Sequence, residues 1–275
     1  MLHPLSLLKK LPVFLCLYLS ANHGYAQSYN SSISAATGGT GRAAIEAGDV
    51  SFLNPAALIH LRGQYFFSSV ATDEYAVSLS DNTGESAFPG AMAFVQKHRT
   101  VAAGELNESD MTMSAAEFAV ERFAMGLTAH YVEQRIKDGP TYHKMNGDLG
   151  FIYTPKPHIG LGLVVYNLFS DKNEIPEELR AKTIVGAGFN YIYHTVWRAR
   201  FDVDSESVAM AGVETYLNRY IITRIGYSDD FDDKRQLLTA GLGFKGPRFG
   251  INYAYEGNPQ NSEDYRHSVD LAVPF

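Results

Sequence analysis

Apolar and polar side chains alternate in short runs from about residue 64 to the end of the chain. The clearest run is the last, where Val269, Leu271, Val273 and Phe275 interleave with Ser268, Asp270, Ala272 and Pro274. A period of two describes a strand with one apolar and one polar face. In 196–204, Trp197, Ala199, Phe201 and Val203 share one face, opposite Arg198, Arg200, Asp202 and Asp204. In 114–122, Phe118 and Val120 oppose Glu117 and Glu121; in 247–256, Phe249, Ile251, Tyr253 and Tyr255 oppose Arg248, Gly250 and Asn252. The runs predict strands over 64–71, 75–81, 89–98, 114–122, 125–136, 147–154, 158–169, 181–193, 196–204, 207–216, 219–228, 235–244, 247–256 and 267–275. That is fourteen, or twelve if the irregular connections 72–74 and 82–88 do not separate real strands.

The connections alternate in length. Phe123-Ala124, Pro155 to Pro157, His194-Thr195, Leu217-Asn218 and Lys245-Gly246 are tight, whereas 99–113, 137–146, 170–180, 229–234 and 257–266 are longer and mostly polar. Short turns at one end and longer loops at the other are the asymmetry of membrane barrels. An even strand number returns the chain to the side on which it started. Lysine or arginine facing lipid at mid-membrane costs ~2–4 kcal/mol, so in such a barrel the charged faces point inward. This parity makes Glu117, Glu121, Arg198, Arg200, Asp202, Glu214, Arg224, Arg248 and Asp270 the expected lumen-facing charges. Val269, Leu271, Val273 and Phe275 become the lipid face of the closing strand. A soluble sheet with its charges in water shares the period, so other features must decide.

The N-terminus supplies one. Lys9 and Lys10 precede an apolar run, Leu11 to Ser20, and Gly24-Tyr25-Ala26 provides small residues where a signal peptidase cuts. Residues 1–26 are therefore expected to be an export signal, too short to span a bilayer. Cys16, the single cysteine, falls inside it, which leaves no thiol for disulfides, metal or catalysis. Loss of both lysines takes the formal charge from −7 to −9, which speaks against nucleic acid as a partner. No later apolar run reaches the ~18 residues of a membrane helix, so a bilayer could be crossed only by a closed barrel.

Residues 27–63 differ from the rest. Ser, Ala, Gly and Thr dominate without strand alternation, which suits loops and short helix. Within this stretch, Gly38-Gly39-Thr40-Gly41-Arg42-Ala43-Ala44, then Asp49 and Asn54-Pro55-Ala56-Ala57-Leu58, resembles the N-terminal signature of the FadL-type outer-membrane transporter superfamily. The related PorV/PorQ-like barrels of protein secretion open similarly. Gly241-Leu242-Gly243-Phe244, Ile251 to Tyr255 and the terminal aromatic strand look most like that second branch. The resemblance implies a plug, or hatch, over 27–63 inside a fourteen-stranded barrel over 64–275 in the outer membrane of a Gram-negative cell. It implies passive uptake of small hydrophobic molecules, or alternatively a secretion accessory or structural role. The implied partners are outer-membrane lipid, the barrel-assembly machinery, and hydrophobic small molecules or secretion-system proteins.

Gly41, Arg42, Asp49, Asn54 and Pro55 are the expected plug and gating residues, with Arg42 paired to a lumen carboxylate such as Glu117, Glu121, Glu214 or Asp270. The Gly39 to Ala44 run also fits G-x-G-x-x-A, but no strand feeds it and no βαβ unit follows, so a nucleotide cofactor is not expected. Asp229, Asp230, Asp232 and Asp233 lack EF-hand spacing and read as a solvated charge run. No serine elbow or metal-helix histidine spacing occurs, so neither catalysis nor a metal is expected. Tyr166, Tyr191, Tyr193, Tyr216, Tyr220, Tyr227, Phe244 and Tyr255 fall near strand ends, where aromatic girdles sit.

Overall fold

The structure is a computed structural model describing residues 29–85, 88–101, 104–169, 174–194 and 196–275. The expected export signal, with Cys16, lies outside these residues. Fourteen strands form one closed antiparallel barrel: β1 (Gly63–Ala71), β2 (Glu74–Asn82), β3 (Gly90–Val101), β4 (Gly104–Val120), β5 (Phe123–Ile136), β6 (Thr141–Lys156), β7 (Ile159–Tyr166), β8 (Ile184–Tyr193), β9 (Trp197–Asp204), β10 (Val208–Tyr216), β11 (Ile221–Asp230), β12 (Arg235–Lys245), β13 (Gly250–Asn258) and β14 (Asn261–Pro274). Each strand pairs with its sequence neighbours, and β14 closes on β1 with Val269 opposite Val70 and Val273 opposite Phe66. Closure pairs every edge, the only way a sheet can meet hydrocarbon.

Burial follows the alternation, with the sense inverted relative to a soluble protein. Leu127, Leu161, Phe201, Ile225, Leu242 and Val269 face out and are exposed, while Arg200, Asp202, Glu214, Arg224 and Asp270 face in and are buried. Rings gather outside near both rims. Tyr193 stacks on Trp197 at 5.4 Å and Tyr220 on Phe244 at 6.1 Å beside the turns at the chain-terminal end. At the other end Tyr253, Tyr255 and Tyr265 surround His267. Two of the expected girdle residues turn inward instead: Tyr166 is fully buried, and the Tyr216 hydroxyl donates to Glu214 at 2.7 Å.

The expected long outer loops are mostly strand. β3 and β4 run through 99–113 in continuous register as far as Val101 opposite Gly104. Glu105 and Glu108 therefore sit on β4 against Lys137 and Arg99, and Asp110 points into the lumen. β13 and β14 likewise consume most of 257–266. Polar composition misled here because a strand polar on both faces shows no alternation.

The 114–122 parity also fails just ahead of a bulge. Ser114 and Ala116 take the buried face there and Glu117 the exposed one, while Val120 beyond it is exposed as expected. A bulge between Phe118 and Val120 shifts the register, and Glu117 lies opposite Met125 on the outer face, exposed. A one-residue slip exchanges the faces of all that follows, and the Phe118 ring instead meets His60 edge-on at 5.4 Å. Glu121 and Arg248 occupy exposed turns, so neither they nor Glu117 lines the lumen.

Candidate functional site: the filled lumen and its mouth

Residues 29–62 run inside the barrel as turns around one short helix, α1 (Ser32–Ala36), and a 3-10 helix over Pro55–His60. The local chemistry explains both. Ser31 caps α1 through its hydroxyl, and Asn54 caps the 3-10 helix by accepting from the Ala56 N–H at 3.1 Å, with Pro55 at its first position. Gly38 takes a φ of +74°, and its Cα lies so close to the Tyr227 backbone that a Cβ would fall 2.5 Å from that carbonyl oxygen. Only glycine satisfies both conditions.

A belt of inward glycines on the wall receives this inner segment. A Cβ on Gly126 would stand 2.4 Å from the Pro55 carbonyl carbon, and one on Gly162 2.1 Å from the Arg42 carbonyl oxygen. Gly212 faces Thr37, Gly226 faces Gly38, and Gly241 faces Ala36 at similar distances. Reading the glycines on the inward parity of β5 to β12 would have exposed this belt; the period analysis weighed only charges and apolar groups.

Polar tethers complete the docking. The Ser32 backbone N–H and hydroxyl donate to Asp270 at 2.6 and 2.8 Å. The N–H groups of Gly41 and Arg42 both donate to Asp202 Oδ2 at 2.9 Å. The Arg42 guanidinium reaches Asp202 at 3.4 Å and Asp204 at 3.3 Å. Its partners are therefore on β9, not the anticipated Glu117, Glu121, Glu214 or Asp270. Glu46, which sequence reasoning passed over, bridges Arg198 and Arg200 on that same strand. Glu214 instead binds Arg224 at 2.6 Å, and Arg224 donates on to Asn252 at 3.0 Å. The Asn54 amide donates to the carbonyls of Arg42 at 2.7 Å and Phe151 at 3.1 Å. Thus Gly41, Arg42, Asn54 and Pro55 all touch the wall or its tethers.

Asp49 stands apart. Neither carboxylate oxygen makes a hydrogen bond of good geometry, although the Ser31 hydroxyl lies near enough to favour ionisation. Burial dominates and raises its pKa from 3.8 to about 7.

Above the inner segment, at the end away from Phe275, a cavity of about 470 Å³ opens. Gly38, Gly39, Arg42, Tyr166 and Met210 form its floor, and the turns around Glu74, Glu206, Asp232 and Asp264 its rim. Carboxylates outnumber cations two to one in its lining. The other half of the mouth is covered by the β7–β8 connection. Ile175 and Leu179 seat among Leu106, Ile136 and Tyr142, and Lys144 donates to the Leu179 carbonyl at 2.9 Å. Below, His130 donates from Nδ1 to Asp110 at 3.0 Å and from Nε2 to Asp148 at 2.9 Å, while Asp148 accepts the Asn167 N–H that begins the connection.

No protein-family model and no curated protein sequence matches the chain. Solved structures do. A CymD monoaromatic hydrocarbon channel superposes with a TM-score of 0.68 at 12% identity, over 89% of this chain and 97% of that one. The P. putida toluene transporter TodX gives 0.69 at 10% identity, over 91% and 99%. A Pseudomonas aeruginosa FadL homologue gives 0.65 at 8% identity, over 91% and 100%. At these identities the likeness is one of fold, and the fold is that of the FadL-type barrels.

Proposed function

We infer that this FadL-type barrel resides in the outer membrane and passively admits small, predominantly hydrophobic molecules, with residues 29–62 as its plug. The observation that carries the reading is the inner segment itself: docked on a glycine belt, it fills the lumen beneath an open mouth cavity. A purely structural barrel has no use for a removable-looking core held by side-chain tethers. The fold neighbours named as hydrocarbon channels and toluene transporters agree with an uptake role. Residues 1–26 would direct export, and the exposed band between the two aromatic girdles would meet lipid.

The wall is closed to sideways passage along β3 among the described residues. β3 pairs without interruption to β2 over Gly90–Lys97 and to β4 over its whole length. Passage therefore requires the plug to move. No residue is assigned catalytic work, and the Arg42, Asp49, Asn54 and Pro55 cluster acts as the plug's anchorage. Uptake of a small aromatic hydrocarbon at limiting concentration, compared in otherwise identical cells with and without the protein, tests the reading. Faster uptake with the protein supports it, and equal rates refute it.

One observation favours a second reading. The mouth carries eight carboxylates and four cations among its apolar lining residues, a charge density that suits a PorV/PorQ-like secretion accessory whose loops hold protein. Recovery of a stoichiometric protein partner from solubilised outer membranes, with no change in uptake, would favour it.

A further inference from the structure

The plug contacts its wall in two chemically different ways. Around β5 to β8 and β10 to β12 the contact is close, with plug backbone and side-chain atoms, the Arg42 guanidinium over Gly186 among them, set against glycines that have no room for a Cβ. Along β9 it is ionic. Arg198, Arg200, Asp202 and Asp204 occupy successive inward positions, two cations followed by two anions. The plug answers with Glu46 opposite the cations and Arg42 opposite the anions. Four alternate positions span six residue steps, ~20 Å at the rise of a strand, against a lipid band ~25 Å tall. The seam begins at Arg42 and Asp204, which line the mouth cavity. It ends at Arg198 and Glu46, which are partly exposed toward the chain-terminal end.

The seam also holds several buried polar atoms that no protein group meets. Arg42 Nε, Arg198 Nε, Arg200 Nε and Nη1, and Asp202 Oδ1 are buried there without a hydrogen bond from the protein. Each such group is costly to bury unless something polar meets it. A contact that is complementary in charge yet under-satisfied in hydrogen bonds parts more readily than a glycine-packed one. It also presents donors and acceptors to whatever replaces it.

The geometry points to the plug–β9 seam as the translocation path, held shut by the Arg42–Asp202/Asp204 and Glu46–Arg198/Arg200 pairs and passable, when open, to small neutral solutes, including predominantly hydrophobic ones that carry a hydrogen-bonding group. The plug and β9 match cation to anion along the seam, so parting them exposes paired donors and acceptors and no large excess of either charge. This rests on the uptake reading above, and it adds where the solute passes and which chemistry it meets. The tethers at Ser32–Asp270 and Asn54–Phe151 lie on other strands, so the plug swings away from β9 while remaining attached.

Osmotic swelling of proteoliposomes in L-arabinose, a small neutral polyol that lipid excludes, tests the path. Arg42→Glu places a carboxylate against Asp202 and Asp204 and should raise the swelling rate at least tenfold over the unmodified protein. Adding Asp204→Lys alone restores an opposite-charge pair while leaving Asp202 to accept the Gly41 and Arg42 N–H groups, and should return the rate at least halfway to the starting value. The paired variant Ser32→Ala with Asp270→Asn, which loosens the plug away from β9, should raise the rate less than threefold. Barrel folding is checked for each by its resistance to unfolding in cold detergent gels. Where Arg42→Glu does not fold, the milder Glu46→Gln serves, with an expected rise of about threefold. A folded Arg42→Glu that swells no faster, or a Ser32/Asp270 variant that matches it, overturns the path while leaving the uptake reading standing. If the unmodified protein and every variant also fail to pass a hydrophobic solute, the uptake reading itself falls.

Discussion

Gly162→Ala should undock the plug without disturbing the barrel. The new Cβ would sit 2.1 Å from the Arg42 carbonyl oxygen, 2.7 Å from its carbon and 3.0 Å from Ala43 Cα. All three are backbone atoms, so no rotamer change relieves the clash. Ordinary contact begins near 3.4 Å, which requires a retreat of about 1.3 Å. The wall does not yield easily, because Gly162 is paired on both sides, to Ile152 and to Gly188. The plug must move, and with it the Gly41 and Arg42 N–H groups now 2.9 Å from Asp202. A shift of that size takes both to about 4 Å, beyond hydrogen-bonding range. Hydrogen bonds to a charged group are worth ~1.5–3 kcal/mol each, and overpacking alone costs ~1–3 kcal/mol. Allowing for relaxation, docking weakens by on the order of 3 kcal/mol, or ~100-fold in the opening equilibrium. Hydrogen exchange read by mass spectrometry should show that loss of protection in peptides from 29–62, with the β-strand peptides unchanged. Gly90→Ala, whose Cβ would meet nothing nearer than 3.6 Å, is the silent control. Unaltered protection of the plug in folded Gly162→Ala would refute the close-packing argument.

Three further outcomes follow from the same geometry. Because burial raises the Asp49 pKa from 3.8 to about 7, the docked plug holds that proton more tightly than the free one. Its contribution to docking is full below pH ~4, declines as pH rises toward 7 and is flat above. The shift corresponds to a few kcal/mol, so Asp49→Asn should flatten the pH dependence of plug protection, and an identical slope in the variant would refute the buried-acid reading. Leu179→Ser removes an apolar anchor from its seat among Leu106 and Ile136 and should free the β7–β8 connection by ~2–3 kcal/mol. Protease cleavage within 174–183, fast in the variant and slow in the parent, reports this, and equal rates would contradict it. Val269→Lys puts a cation on the lipid face of β14 and should lower barrel stability in lipid by up to ~2–4 kcal/mol. A denaturant titration in vesicles showing no loss would mean that Val269 does not meet hydrocarbon.

The sequence disclosed the barrel because alternation is a local property: whether a side chain faces lipid or lumen depends only on parity within its strand. Arg198, Arg200, Asp202, Glu214, Arg224 and Asp270 were legible for that reason. Glu117 was not, because the bulge at Phe118/Val120 resets the parity just beyond it, and no local pattern announced the extra residue. Glu121 and Arg248 sit in turns, where parity ceases to mean anything. The outer loops were overestimated because a strand polar on both faces shows no alternation. The Arg42 partner was out of reach for a different reason. Any inward carboxylate satisfies the pattern, and choosing Asp202 and Asp204 over Asp270 requires knowing where around the barrel the plug turns. The glycine belt was written in the sequence, as at Gly160/Gly162, Gly186/Gly188 and Gly241/Gly243, spaced by two on the inward parity. Its meaning appears only once something lies inside.

The most direct test of a plugged channel is flux of a small aromatic hydrocarbon into vesicles whose outer leaflet is lipopolysaccharide, the leaflet that retards such solutes. Vesicles carrying the purified full chain should fill several-fold faster than protein-free vesicles, and faster again with Gly162→Ala. Identical filling with and without the protein, and no gain from the undocked variant, would contradict the account.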